Sequence, residues 1–218
     1  MPRKRQLHDR YFKQAKAEGY AARSAYKLKE IQDRHRLIKR ADRVLDLGCA
    51  PGSWLQVAAE LVGPEGRVVG IDLLRTRVPP EPNVNVMEGD IYATDPATLR
   101  AMAYPELAGE PPQFDVVMSD MAPNTSGHGD HFLSVRLCRR VLEILPSLLR
   151  PTGSMVVKVF EGEEFPEFVK ECRAAFGSVW IFKPKASRDV SRETYIVAKG
   201  YGKTRAPHAL SRPSPPTH

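Results

Sequence analysis

Asp46-Leu47-Gly48-Cys49-Ala50-Pro51-Gly52-Ser53-Trp54 (DLGCAPGSW, residues 46–54) is the stretch on which the fold turns. It follows the apolar pair Val44-Leu45 and runs into Leu55-Gln56-Val57-Ala58-Ala59-Glu60-Leu61, whose apolar residues recur at helical spacing. A strand, a glycine-bearing turn and a helix N-terminus make a crevice where backbone N–H groups face a ligand. Gly48 and Gly52 permit close backbone approach, and Pro51 stiffens the turn between them. The next apolar segment, Val68-Val69-Gly70-Ile71, ends in Asp72. That is the spacing at which a carboxylate accepts hydrogen bonds from the ribose hydroxyls of a bound nucleoside.

The turn carries neither the G-x-G-x-x-G pattern of dinucleotide enzymes nor a G-x-x-x-x-G-K-[ST] phosphate loop. No Lys or Arg stands ready for a pyrophosphate, and the charged member of the stretch is Asp46. A carboxylate there suits a cationic portion of a ligand, such as the amino group or sulfonium of S-adenosylmethionine (AdoMet).

The 218 residues suffice for one α/β domain with a full core. No apolar run approaches the length of a membrane span, and MPRKRQLHDR lacks the apolar core of a signal peptide, so a cytoplasmic protein is expected. Cys49, Cys138 and Cys172 form no C-x-x-C pair and read as small core side chains in a reducing compartment. The net charge of +7 is uneven: residues 1–43 hold 14 Lys and Arg against 5 Asp and Glu, the remainder 19 against 21. A basic segment on a near-neutral domain is the footprint of a polyanion partner, nucleic acid above all. A solvated helix face is the plainer alternative.

Periodicity predicts helices over 8–19 and 22–36, joined at Gly19, then 53–62, 96–103, 131–149 and 164–176. Strands are predicted over 43–48, 67–72, 84–88, 114–119, 153–160, 178–182 and 194–199. Continuous apolar runs such as Phe114-Asp115-Val116-Val117-Met118 indicate parallel strands covered on both faces. The expected fold is therefore α/β, Rossmann-like, with a doubly wound and mostly parallel seven-stranded sheet. The last two strands have no helix between them, so one of them should be antiparallel. The expected organisation is a basic helical extension over 1–40, the main domain over 41–203 and a disordered Pro-rich tail over 204–218.

In such a fold ligands bind outside the carboxyl ends of the strands. Asp120 sits at the tip of the fourth strand and Asp90 closes the third; Glu193 immediately precedes the last. Lys158 lies inside Met155-Val156-Val157-Lys158-Val159-Phe160, where an unpaired ammonium is costly to bury. It needs a carboxylate partner, a lowered pKa, or both. Asp120 would supply the partner if the two strands are parallel neighbours. A plain buried ion pair and a strand-end cap are the structural alternatives for these residues. Asp90 could equally be a turn residue.

The segments Arg23-Ser24-Ala25-Tyr26-Lys27-Leu28, DLGCAPGSW, Ile71-Asp72-Leu73-Leu74, Met87-Glu88-Gly89-Asp90, Ser119-Asp120-Met121-Ala122-Pro123-Asn124 with Ser126-Gly127, Val157-Lys158-Val159-Phe160 and KPKASRDVSRETYIVA follow one another in a fixed order. Together, over about residues 9–202, they resemble the RlmE/FtsJ/RrmJ family of AdoMet-dependent ribose 2′-O-methyltransferases of large-subunit ribosomal RNA. The resemblance implies a Lys-Asp-Lys-Glu tetrad on Lys27, Asp120, Lys158 and Glu193, with Lys158 as proton acceptor. It further implies AdoMet contacts at Gly52, Trp54, Asp72, Asp90 and Asp120, and a uridine ribose of the large ribosomal subunit as substrate, with a tRNA ribose 2′-O-methyltransferase or a noncatalytic RNA-binding ribosome assembly factor as the alternatives. Two departures stand out. Gly52-Ser53 replaces the family's double glycine, which is tolerable if Ser53 caps the following helix, and the loop 75–83 is longer and richer in proline.

Methyl transfer to a ribose hydroxyl is an in-line displacement by a weakly acidic nucleophile, which needs a group to orient it and take its proton. A second cation near Lys158 favours its neutral form, whereas Asp120 and Glu193 favour the charged one. Lys27 could instead bind phosphate or polarise the hydroxyl. No metal is required, and His128 and His131 around Asp130 read as an incidental loop pair. A monomer is expected, as is the absence of any membrane partner.

Overall fold

Seven strands form one sheet in the order β3-β2-β1-β4-β5-β7-β6. The elements in chain order are α1 (Arg3–Glu18), α2 (Ala25–His35), β1 (Arg43–Leu47), α3 (Ser53–Val62), β2 (Arg67–Asp72), β3 (Val84–Glu88), α4 (Pro96–Ala103), β4 (Phe114–Ser119), α5 (Asp130–Leu148), β5 (Leu149–Phe160), α6 (Phe165–Ala175), β6 (Phe176–Phe182) and β7 (Glu193–Tyr201). The computed structural model describes residues 3–79, 81–123, 129–186 and 192–203. Asn124, Ser126, Gly127, His128, residues 187–191 and the Pro-rich tail 204–218, all singled out in the sequence, lie outside the described residues. So do the side chains of residues 3–9.

Strands β1 to β5 pair in parallel, and β7 runs antiparallel to both β5 and β6. This is the single reversed strand anticipated from the missing helix. From β1 the chain steps outward through β2 and β3, then returns to β4 and steps the other way. The reversal between β1 and β4 is the switch point at which open α/β sheets hold ligands.

Several element bounds differ from expectation, β5, β6 and β7 among them, and the helices show the clearest cases. α1 reaches back to Arg3, and α2 starts at Ala25 rather than residue 22. The delay arises because the preceding residues form a turn, with Tyr26 N–H donating to the Arg23 carbonyl at 3.2 Å. α5 ends at Leu148, since Leu149 already pairs with Phe114 as the first residue of β5.

Successive strand residues point to opposite faces. On one face Leu45, Leu47, Val69, Ile71, Val117, Val157 and Ile196 pack with residues of α4, α5 and α6. On the other, Val44, Val68, Val116, Met118, Val156, Tyr195 and Val197 pack with Trp54, Leu55 and Ala58 of α3 and with Ala25, Leu28 and Ile31 of α2. This division positions the site. Asp120 stands two residues beyond Met118, Lys158 two beyond Val156, and Glu193 two before Tyr195. Period two therefore puts all three on the face that α2 covers.

Candidate active site

Lys158 is only 8 % exposed and Lys27 7 %. The Lys158 ammonium donates to the main-chain carbonyl of Asp120 at 2.5 Å and lies 3.2 Å from Asp120 Oδ1 and 3.8 Å from Glu193 Oε1. Lys27, from the first turn of α2, reaches the same Glu193 oxygen at 2.5 Å. The tetrad is thus one contiguous cluster of two buried lysines and two half-buried carboxylates, built from residues 166 positions apart at their widest. The antiparallel course of β7 makes this possible. Its first residue, Glu193, pairs with Phe160 at the end of β5 and so arrives where the parallel strands finish.

Tyr195, unflagged in the sequence, holds the cluster from below. It is fully buried and sits directly across the ladder from Lys158. Its hydroxyl donates to Asp120 Oδ1 at 2.7 Å and lies 3.4 Å from Glu193 Oε1. Burial, reinforced by those two carboxylates, pushes its pKa well above the usual phenol range. Its ring stacks on Trp54 with centroids 5.9 Å apart, and the Lys27 ammonium lies 5.8 Å from its centre.

Beside the tetrad a cavity of about 490 Å³ opens at the carboxyl ends of β1, β2 and β4. It is lined by Gly48, Ala50, Asp72, Leu73, Asp90, Ile91, Tyr92, Asp120 and Met121 among others, with no Lys or Arg among the described residues of its wall. Asp72 braces the wall: Oδ2 accepts from the Ala50 N–H and Oδ1 from the Leu74 N–H, both at 2.8 Å. Asp90 Oδ1 accepts from the Tyr92 N–H at 2.9 Å, so it is both a turn residue and a wall residue. Gly48 has φ +79°, and a Cβ there would lie 2.1 Å from Met121 Cγ. The turn can approach the β4 tip this closely only with glycine.

The other two expected cofactor contacts are placed differently. Trp54 is 2 % exposed, and its indole N–H donates to the Ser24 carbonyl at 2.9 Å. Gly52, at φ +114°, precedes α3 and backs onto Val78, whose loop also donates its Arg77 N–H to the Pro51 carbonyl at 3.0 Å. Neither Gly52 nor Trp54 lines the cavity. Their visible role is to seat the turn against α2 and the proline-rich loop. The expectation that Ser53 caps α3 is corrected: Gly52 is the N-cap, and no side chain caps the helix. The buried Ser53 hydroxyl pairs instead with Ser24 Oγ at 2.7 Å, because α2 packs over the helix start and offers a partner there.

Asp46 lies in β1 rather than in the loop, fully buried, and neither carboxylate oxygen has a hydrogen-bond partner among the described residues. Burial, with Asp120 and Asp72 adding to it, pushes its carboxyl well above the usual range. Cys49, Cys138 and Cys172 are buried free thiols. His131 packs on Phe132 with ring centroids 4.1 Å apart, and among the described residues no group of His, Cys, Asp or Glu could hold a metal ion. Nor is any described helix long and apolar enough to cross a membrane.

The family model for FtsJ-like methyltransferases matches residues 20–201, which span every element from α2 to β7. The chain belongs to the FtsJ-like methyltransferase family. Curated relatives named "Ribosomal RNA large subunit methyltransferase E" include one from Methanothrix thermoacetophila, 48% identical over 197 residues, covering 89% of this chain and 73% of the relative. Another, from Oleidesulfovibrio alaskensis, is 43% identical over 199 residues, covering 90% of this chain and 93% of the relative. A Plasmodium falciparum crystal structure described as a ribosomal RNA methyltransferase superposes with a TM-score of 0.69 at 27% identity, covering 84% of this chain and 98% of that one. As an FtsJ-like methyltransferase the chain uses a methyl donor. Within the FtsJ-like sequence, Tyr195 and Ser24 are the site residues that sequence reading overlooked: the first looks like core, and the second is quoted only inside a motif.

Proposed function

We propose that this chain transfers the methyl group of AdoMet to the 2′-hydroxyl of a uridine ribose in large-subunit ribosomal RNA, on the assembled or assembling subunit. The observation that carries the reading is the double membership of Asp120. It lines the cavity and also touches Lys158, so donor and acceptor pockets share a wall one carboxylate thick. Displacement at a methyl carbon gains most of its rate from such juxtaposition. The names of the relatives supply the RNA and the subunit, and the basic segment over residues 1–43 suits that polyanion.

The residues present fit AdoMet. A cavity of about 490 Å³ matches a ligand of its size. The wall offers Asp72 and Asp90 to hydroxyl and amino donors, apolar Ile91 and Tyr92 to a planar base, and no cation to attract phosphate. Gly52 and Trp54 would act through the turn that they seat. When bound, AdoMet supplies an activated methyl group on a sulfonium.

On the acceptor side, Asp120 and Glu193 hold Lys158 by its ammonium nitrogen, and Tyr195 holds Asp120. As its neutral amine, Lys158 orients the ribose hydroxyl and takes its proton as the C–O bond forms, which returns it to the ammonium form that Asp120 and Glu193 hold. Lys27, fixed by Glu193, presents a second nitrogen to the hydroxyl or the neighbouring phosphate. Burial of the two lysines, with Asp120 and Glu193 half-buried beside them, limits water in the proton's path.

The test is methyl transfer from labelled AdoMet to large ribosomal subunits from unmodified cells, to free ribosomal RNA and to bulk tRNA, with digestion and mapping of the product. A 2′-O-methyluridine in the subunit is the expected result. Label confined to tRNA, or on a base nitrogen, would overturn it.

A further inference from the structure

Away from the tetrad, α2 ends against an aromatic patch at the margin of the sheet. β6 is an edge strand, and Trp180 and Ile181 on it are 42% and 49% exposed. Trp180 pairs with Val197 and Phe182 with Tyr195, which puts both aromatic residues on the face that carries the tetrad. His35, the last residue of α2, lies tilted against Trp180 with ring centroids 5.4 Å apart and edge-on to Phe182 at 5.3 Å.

Cations gather around this patch. The Lys199 ammonium donates to the main-chain carbonyls of His35 and Arg36. Burial disfavours its charge, and the nearby Lys39 disfavours it further. Arg34 and Lys199 likewise add to the effect of burial on His35. Among the described residues no ion pair neutralises Arg34, Arg36, Lys39 or Lys199. The carboxylates beside them serve the backbone: Glu30 accepts from the N–H groups of Lys185 and Ala186, and Asp42 from that of Lys39. Asp33, exposed on the same helix, makes no ion pair with them.

Unneutralised cations beside an exposed ring form the combination that holds single-stranded nucleic acid: the charges follow the phosphates, and a base stacks on the ring. Lys27 and His35 lie eight positions apart on α2, about 12 Å at the helical rise, a distance that a few nucleotides cover. Resting on the reading of the chain as an RNA methyltransferase, we propose that Trp180, with Arg36, Lys39 and Lys199, is a base-stacking platform for a single-stranded stretch of the RNA substrate flanking the methylated ribose. A protein strand added to the β6 edge would use main-chain hydrogen bonds and would leave the cations without counter-charges. The charge pattern favours RNA.

The protein has two tryptophans, and Trp54 is buried away from contact with a bound base, so contact quenching of the intrinsic fluorescence reports on Trp180. Titrating the full chain with a uridine-rich single-stranded RNA oligonucleotide should quench that emission, and an RNA duplex of equal length should do so less. Trp180→Ala should weaken single-strand binding by roughly 5- to 150-fold, the range for removing one stacked base, and raise KM for RNA without changing AdoMet affinity. Trp180→Phe should keep most of the affinity and lose the quench. Arg36→Ala should lower the slope of log affinity against log salt by about one. A folded Trp180→Ala protein that binds single-stranded RNA like the parent overturns the platform. So does a Trp180→Ala protein that changes only its oligomeric state, which would make the face a protein interface. A parent that neither binds nor methylates RNA overturns the RNA reading itself; a methylating parent with an indistinguishable variant overturns only the platform.

Discussion

Tyr195 and Lys158 face each other across the β5–β7 ladder and share one carboxylate oxygen, Asp120 Oδ1, at 2.7 and 3.2 Å. The tyrosine cannot touch substrate, since it is fully buried. It fixes the carboxylate that fixes the lysine.

Tyr195→Phe should therefore keep the ring stack on Trp54 and lose the aim of Asp120. A buried hydrogen bond is worth about 1 kcal/mol, so kcat should fall by up to about tenfold with KM for AdoMet nearly unchanged. An equal loss in kcat and in AdoMet affinity would point to a general loosening of the cavity instead.

Lys158→Ala should abolish transfer while AdoMet binding survives, because Lys158 is no part of the cavity wall. Calorimetric titration with AdoMet and single-turnover methylation separate the two readouts. Measurable methyl transfer by this variant would remove Lys158 from the role of proton acceptor.

Asp72→Ala should weaken AdoMet binding twice over, by deleting a wall carboxylate and by releasing the Ala50 and Leu74 N–H groups. Asp72→Asn keeps one acceptor oxygen and should fall between parent and alanine variant in affinity. Ligand-dependent thermal shift gives the order directly.

Asp46 carries a folded-state pKa raised by burial, with Asp120 and Asp72 contributing. A raised carboxyl opposes folding once pH exceeds its unfolded value of about 3.9, and that opposition grows as pH rises. Asp46→Asn should raise the thermal midpoint at neutral pH, with the gain vanishing below about pH 4. A gain of equal size at low pH would contradict this assignment.

Asp115 shows the opposite sign. Burial pushes its carboxyl up, but hydrogen bonds from Arg43 and Arg150 outweigh this and hold it at about 2. Its contribution is present above the usual carboxylate range and is lost as pH falls through about 2. Asp115→Asn should cost about 2 kcal/mol at pH 7 and nothing near the acid limit, as denaturant melts across pH would register.

Continuous apolar runs made most of the frame legible. Val44, Val116 and Val156 predicted buried parallel strands, and Lys158 stood out because a lysine within such a run demands an explanation. Tyr195 was illegible for the converse reason: a tyrosine in Tyr195-Ile196-Val197-Ala198 looks like core, and its hydroxyl partner lies 75 residues away. The Ser24–Ser53 pair likewise spans 29 residues, and nothing local in either serine reports it. Asp46 was legible as a charge but not as a buried one, since its burial depends on α2 and α3 closing over β1. The bounds of α2 slipped because the turn at residues 21–24 imitates helical spacing.

β7 also decides when the chain becomes competent. It lies between β5 and β6, so β6 has no sheet to join until β7 has been made, and the two must dock as a hairpin. The same docking delivers Glu193 to Lys27 and Lys158, and Tyr195 to Asp120. A nascent chain that has finished the donor cavity over residues 46–123 thus still lacks its acceptor centre, because contacts of such long sequence separation close last. On the proposed reading, methylation capacity is switched on by completion of the C-terminal hairpin, and a polypeptide stopped before it should hold donor without consuming it.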